Sequence, residues 1–210
     1  MGTVPAHLPW CGPKKICWCE PQRYALVIVI GAVVFAAQVA VGLQAESVAV
    51  LTDSAHVASD VVASSVSFYV ALRVRSHDRA DEVRGRYARL SALLLLAALA
   101  WAAWEAVGRL RSETQHEVIG WLVVAIATAG LLGNLVQLAI LHPEQTVTAH
   151  LQRWHLFEDV GSSMVVIVSG GIIWATGWND ADAWGSLLVV AFVGVFALKR
   201  LLGLGQEHHH

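Results

Sequence analysis

Six apolar runs occupy most of this chain, and each is long enough to cross a bilayer as a helix. A spanning helix needs about 20 predominantly apolar residues. The runs lie at about 24–44, 54–74, 88–110, 118–141, 150–174 and 183–203. Because 56% of the residues are apolar and only 14% are charged, one soluble core could not hide these side chains. The sequence therefore predicts an all-α integral membrane bundle of six transmembrane helices.

Basic residues gather on one side of the predicted membrane segments. Of the 14 Lys and Arg residues, all but Arg109 and Arg111 lie in the N-terminal segment, the linker after the second run, the fourth-to-fifth connection or the C-terminal tail. Lys and Arg are enriched in cytoplasmic loops, so this distribution predicts that both termini are cytoplasmic. The Arg-rich linker is explained by topology and attraction to anionic lipids, and nothing indicates a nucleic-acid partner.

The chain divides into a cytoplasmic N-terminal segment (1–23), a six-helix transmembrane domain (24–203) and a short tail (204–210) that resembles an affinity-tag remnant. No C-terminal cytoplasmic domain is expected. The N-terminal segment carries Cys11, Cys17 and Cys19, an odd number that does not indicate a disulfide framework. These thiols could capture metal, carry a lipid or be inert, so their role stays open.

Two matching motifs lie within the predicted spans. The second run contains His56-x-x-x-Asp60 and the fifth contains His155-x-x-x-Asp159. Residues four apart share one face of a helix, so two facing helices would present four ligands. An Asp near the centre of a spanning helix costs roughly 2.5–3.5 kcal/mol on insertion scales, so both carboxylates need partners. The polar residues of the second run also predict that its neighbours shield it.

Two imidazole nitrogens and two carboxylate oxygens at tetrahedral positions suit zinc, and cadmium or cobalt could also fit. A divalent metal is therefore the expected substrate, with no organic cofactor and no enzymatic reaction. Alternatives are a structural lock of His–Asp pairs, a b-type haem bound by both imidazoles, and a metal receptor that does not transport. An intramembrane hydrolase using Ser162 or Ser163 is disfavoured, because either serine lies about 10 Å along the helix from His155.

Several acidic residues lie outside this expected ligand set. Asp53, Glu46, Asp180 and Asp182 fall toward the outer side, where solvated helix ends explain them better than an exit path. Glu158 adjoins Asp159 but lies about 100° around the helix, so it is expected outside the coordination sphere.

Further residues around the motifs resemble a known family, the cation diffusion facilitators, over nearly all of 24–203. The matching positions are Ala45 to Asp60 at the first-to-second junction, Glu105 to Leu110 in the third helix, Asn134 in the fourth, Asp159 to Ser163 in the fifth and Ala181-Asp182 in the sixth. The resemblance implies a proton-coupled antiporter that exports zinc or a related metal by alternating access. It also implies a homodimer in the bacterial inner membrane, and it places the transport site at His56, Asp60, His155 and Asp159.

The chain departs from the family pattern in four places. Ser91 stands where a Glu is common, Ala183 stands where a Pro is common, and the fourth-to-fifth loop keeps only His142 and His150 of a His-rich segment. The family's usual cytoplasmic metal-binding domain after the sixth helix is also not expected in this chain. Membrane contacts alone would then have to hold a dimer together.

Overall fold

A computed structural model describes residues 19–73, 77–112, 116–141 and 147–202. These residues form six α-helices and no strand, which confirms the all-α prediction for the described ranges. The helices are α1 (Cys19–Gln44), α2 (Val48–Arg73), α3 (His77–Arg111), α4 (Gly120–Leu141), α5 (Val147–Thr176) and α6 (Asp180–Leu201). Within these helices the structure describes the backbone throughout. It leaves out the side chains of residues 19–21, 70–71, 73, 77–85, 88, 147–157 and 200.

The third helix is longer than its apolar run predicts. It begins at His77, whereas the apolar run begins near residue 88, so most of the Arg-rich linker is helical. The linker contains no proline, and charged residues such as Arg and Glu are good helix formers. The helix therefore has no reason to begin where the hydrophobic stretch begins.

Five of the six helices are long and apolar enough to cross a membrane. The qualifying stretches are Gln22–Gln44, Arg89–Arg111, Gly120–Leu141, Glu158–Thr176 and Asp180–Lys199. α2, which carries several Ser residues, His56 and two Asp residues, is not among these stretches. Its 26 residues nevertheless span about 39 Å at a rise of 1.5 Å per residue, enough to cross a bilayer. A sixth crossing by α2 stays a prediction.

α2 is surrounded by the other helices. It packs against α1, α3, α5 and α6, while α4 packs against α1 and α5, and α3 packs against α6. Most of its polar side chains point inward: Ser54, His56, Asp60, Ser64 and Ser67 are buried, whereas Ser65 is exposed. The prediction that neighbours shield this helix is confirmed. These buried polar residues, which lower the hydropathy of α2, thus face other helices rather than the outside of the bundle.

The N-terminus of α2 is capped by a carboxylate from α6. One oxygen of Asp182 accepts hydrogen bonds from the backbone N–H groups of Val48 and Ala49, at 2.7 and 3.4 Å. The other accepts from the hydroxyl of Ser47 at 2.5 Å. The first N–H groups of a helix have no partner within it, so Asp182 satisfies donors that burial would otherwise leave unpaired. Asp182 is 1% exposed, so the expectation of a solvated helix end is wrong here.

α4 and α5 approach closely where two glycines meet. A Cβ added to Gly170 would lie 2.7 Å from Cγ1 of Val123 and 3.2 Å from the carbonyl oxygen of Gly120. Absence of a side chain therefore permits this approach, as in other membrane helix pairs with small residues at the interface. Gly171, the next residue, has no neighbour within 4 Å of the corresponding position.

Gly170→Ala should destabilise the bundle by about 1–3 kcal/mol, because Val123 and the α4 backbone would have to move. Gly171→Ala is the matched control, which should leave stability unchanged or raise it by up to about 1 kcal/mol through helix propensity. Thermal unfolding in detergent micelles measures both. Equal unfolding temperatures for the two variants would contradict the close approach of α4 and α5.

Candidate metal centre

Three predicted ligands come together between α2 and α5. One ligand atom from each of His56, Asp60 and Asp159 lies within 4.8 Å of the others. His56 and Asp60 are one helical turn apart on α2, and Asp159 reaches them from α5. The exposed fractions of the three residues are 0%, 5% and 1%. The arrangement places an imidazole and two carboxylates in one buried space, as the two His-x-x-x-Asp motifs predict.

The spacing of two of these atoms suits a shared metal ion. Nδ1 of His56 lies 3.2 Å from Oδ1 of Asp159. Two ligands of a tetrahedral ion with bonds of about 2.0 Å are separated by about 3.3 Å. No described group donates a hydrogen bond to Oδ1 of Asp159 under the usual geometric criteria. The pair is thus at ligand-to-ligand spacing without forming a well-aligned hydrogen bond.

The fourth predicted ligand is His155. Its backbone lies in α5, four residues before Asp159, and therefore on the same face of that helix. Its side chain lies outside the described residues. Cys11 and Cys17, and the side chain of Cys19, also lie outside them. A four-ligand site that includes His155 stays a prediction.

Glu158 lies closer to the cluster than its helical position suggests. Its Oε2 atom is 3.9 Å from Nε2 of His56, and the residue is only 8% exposed. The prediction that it lies outside the coordination sphere rests on the angle between neighbouring Cβ atoms of a helix and stays a prediction. That angle is correct, but it ignores the reach of the longer side chain. Glu158 is thus an acidic neighbour of His56 that the two His-x-x-x-Asp motifs do not indicate.

Asp53 anchors a buried hydrogen-bond network beside the cluster. Its Oδ1 accepts from the Ser162 hydroxyl at 2.6 Å. Its Oδ2 accepts from Nε2 of Gln38 at 2.7 Å and from the Ser163 hydroxyl at 3.4 Å. Asp53 is 1% exposed, so it is not at a solvated helix end. The network joins α2 to α1 and α5 one helical turn from His56.

Ser162 connects this network to the cluster itself. Besides Asp53, its hydroxyl also lies 3.0 Å from the backbone carbonyl of Asp159. The spacing between Asp53 and His56 on α2, three residues, is the signal that could have placed this carboxylate on the same face. Sequence alone does not say which helix supplies its donors, because that depends on packing.

Removing the Ser162 hydroxyl should leave the buried Asp53 carboxylate with one donor fewer. We expect Ser162→Ala to lower the free energy of unfolding by about 1–3 kcal/mol, the usual cost of losing a partner for a buried polar group. Ser65→Ala is the control, since Ser65 is exposed and donates only to the Val61 carbonyl in its own helix. Unfolding in detergent with a chemical denaturant compares them. An equal, small effect of both substitutions would contradict a stabilising role for the network.

The chain is similar in sequence to several known proteins. Residues 24–204 match the family model described as the cation efflux transmembrane domain. The metal cation efflux system protein CzcD of Cupriavidus metallidurans is 31% identical over 173 residues, covering 78% of this chain and 52% of that protein. The zinc transporter ZitB of Escherichia coli is 30% identical over 164 residues, covering 72% and 51%.

A plant protein shows a shorter match. Metal tolerance protein 1 of Arabidopsis thaliana is 29% identical over 127 residues, which cover 57% of this chain and 31% of that protein. The chain thus spans about half the length of the bacterial relatives it matches. The spanning helices and these relatives make it a multi-pass inner-membrane protein. Since the family model covers almost all of the described helices, the chain belongs to the cation efflux family, the cation diffusion facilitators.

Proposed function

We propose that this protein exports divalent metal ions, zinc foremost, from the cytoplasm in exchange for protons. The ion would bind His56, Asp60, His155 and Asp159. One observation carries the proposal: the ligand atoms of His56, Asp60 and Asp159 converge within 4.8 Å between two membrane helices. The names of two relatives, a zinc transporter and a metal cation efflux protein, support zinc as substrate. Cadmium and cobalt suit the same donor atoms.

The charges of the site fit a divalent cation. Asp60 and Asp159 together carry two negative charges when ionised, and they lie close together in a space with almost no exposure to water. Two buried, ionised carboxylates repel each other and lose their hydration, so the doubly charged pair is costly without a counterion. A Zn²⁺ ion between them would neutralise both charges. Imidazole nitrogen would complete the coordination without adding charge.

Proton exchange follows from the chemistry of the ligands. Zinc binds neutral imidazole and ionised carboxylate, so protons and metal compete for the same atoms. A proton gradient directed inward would load the site with protons from outside and so release the metal there. Deprotonation at the cytoplasmic side would restore the metal-binding form. Both steps use only groups of the proposed site.

The burial of the site calls for alternating access. His56 is fully buried, so an ion at this position is separated from both membrane surfaces in the present conformation. Export requires the site to open to the cytoplasm for loading and to the outside for release. The proposed orientation has both termini in the cytoplasm. It rests on the basic residues, because all Lys and Arg residues except Arg109 and Arg111 lie on the same side of the predicted spans as the termini. A homodimer is proposed from the family likeness and is testable by cross-linking in the membrane.

Zinc uptake into proteoliposomes with an imposed pH gradient tests the transport proposal. We expect gradient-dependent flux in the unchanged protein and a loss of at least about 100-fold in Asp60→Ala and in Asp159→Ala, since each removes a ligand and a charge. Asp180→Ala is the control, because Asp180 is an exposed aspartate in the first turn of α6. It should retain near-normal flux.

Three other results would redirect the interpretation. Tight zinc binding without flux would identify a receptor rather than a transporter. Flux that ignores the pH gradient would remove proton exchange from the mechanism. Absence of both binding and flux in the unchanged protein would contradict the metal site.

Zinc affinity should fall as the pH is lowered, because the ligands must be deprotonated to bind metal. An unperturbed imidazole titrates near about pH 6.5, so affinity should drop by at least about 10-fold between pH 7.5 and pH 5.5. Calorimetry on the detergent-solubilised protein measures this, with His208, His209 and His210 removed so that tail imidazoles do not bind zinc. A constant affinity over that interval would contradict competition between protons and zinc for the imidazoles, and with it the proposed exchange.

A further inference from the structure

The imidazole of His56 stands between two carboxylates from consecutive residues of α5. Its Nδ1 atom lies 3.2 Å from Oδ1 of Asp159, and its Nε2 atom lies 3.9 Å from Oε2 of Glu158. The side-chain exposures of His56, Asp159 and Glu158 are 0%, 2% and 9%. Each ring nitrogen thus faces its own acidic partner in a nearly dry environment.

The two nitrogens of a neutral imidazole have different roles. One carries a proton and donates, while the other has a lone pair and can bind a metal. Nδ1 is the nitrogen at ligand-to-ligand distance from Asp159, and it is therefore the metal-binding atom of the proposed site. Nε2 must then carry the proton. Glu158 is the carboxylate that Nε2 faces.

We propose that Glu158 is a positioning residue of the transport site: its carboxylate faces Nε2–H of His56 and favours the tautomer and ring orientation in which Nδ1 binds the metal. The inference rests on the proposed function and adds to it a residue outside the four ligands. Metal-ligating histidines commonly donate their second N–H to a carboxylate, which orients the ring and makes the ligating nitrogen more basic.

The different lengths of the two side chains make this arrangement possible. Asp159 and Glu158 leave the helix about 100° apart, so they cannot approach His56 from the same direction. The carboxylate of the shorter Asp159 side chain lies beside Nδ1. The additional methylene of Glu158 carries its carboxylate around to Nε2. Consecutive residues of α5 therefore flank a single ring on α2.

The 3.9 Å separation is electrostatic contact rather than a hydrogen bond, which needs about 2.7–3.2 Å. A small torsional change in the flexible Glu158 side chain would shorten it to hydrogen-bond length. Burial strengthens the attraction, because little water screens the charges. The carboxylate thus acts on the imidazole in the same low-dielectric space that holds the proposed metal.

The test compares Glu158→Gln with Glu117→Gln, which makes the same chemical change at an exposed position in the loop before α4. Zinc and Co²⁺ are the probes, titrated into the full chain in detergent without His208, His209 and His210. Loss of such an outer carboxylate typically weakens metal binding by about 10–100-fold. We expect a loss of about 10-fold in Glu158→Gln and no change in Glu117→Gln. Glu158→Asp, which keeps the charge but shortens the chain, should fall between them.

The visible absorption of bound Co²⁺ separates positioning from direct ligation. If Glu158 acts through His56, Co²⁺-saturated Glu158→Gln should keep the band shape and intensity of the unchanged protein while its affinity falls. A changed band would make Glu158 a metal ligand and overturn the positioning role. Unchanged affinity in Glu158→Gln, with zinc bound normally by the unchanged protein, would also overturn it and leave the proposed function intact.

A double-mutant cycle identifies the path of the effect. In a His56→Ala background, Glu158→Gln should weaken Co²⁺ binding no further, because the residue through which it acts is gone. An undiminished effect in that background would show direct attraction between Glu158 and the cation, contrary to the proposal. If the unchanged protein binds neither metal, the proposed function itself fails, which is a separate outcome.

Discussion

Polar groups placed within a membrane bundle must find partners inside the protein, and this constraint organises the whole structure. The bilayer core supplies no water to satisfy a buried carboxylate or N–H group. Among the described residues, α2 carries more of these groups than any other helix, including Asp53, His56 and Asp60, and it packs against α1, α3, α5 and α6. A helix of such composition is stable in this position only because its neighbours cover it. The packing of four helices against α2 meets that need.

The buried carboxylates of the bundle are satisfied in two different ways. Asp182 and Asp53 accept hydrogen bonds from backbone N–H groups, serine hydroxyls and an amide, all of which are neutral. These contacts join helices and have no need of an ion. Asp159, in contrast, lies beside Asp60 and the imidazole of His56. Two carboxylates and an imidazole converge there, and this convergence is the basis of the proposed metal site.

The sequence predicts the helices and the faces of the motifs well because both depend on local periodicity. Four-residue spacing places His56 with Asp60 and His155 with Asp159 whatever the packing, and apolar length identifies the spans. Three other features depend on reach or on neighbours. The carboxylate of Glu158 extends around the helix, Asp53 obtains its donors from α1 and α5, and Asp182 caps a helix 134 residues away. The apolar segment of α3 lies where the sequence predicts it, at Arg89–Arg111, and the helix begins earlier, at His77, because a helix can continue beyond its apolar segment.

The same contacts constrain how the proposed site could open. Asp53 lies three residues before His56 on α2, about 4.5 Å along the helix axis, and its hydrogen bonds to Gln38 and Ser162 hold α1, α2 and α5 together at that level. With cytoplasmic termini, that level is on the outer side of the site. Separation of α2 from α5 at that level must break the hydrogen bond between Ser162 and Asp53, whereas separation at the opposite end leaves it intact. Under the proposed orientation, with cytoplasmic termini, these polar contacts close the proposed site on its outer side, and opening there needs water or new partners for Asp53.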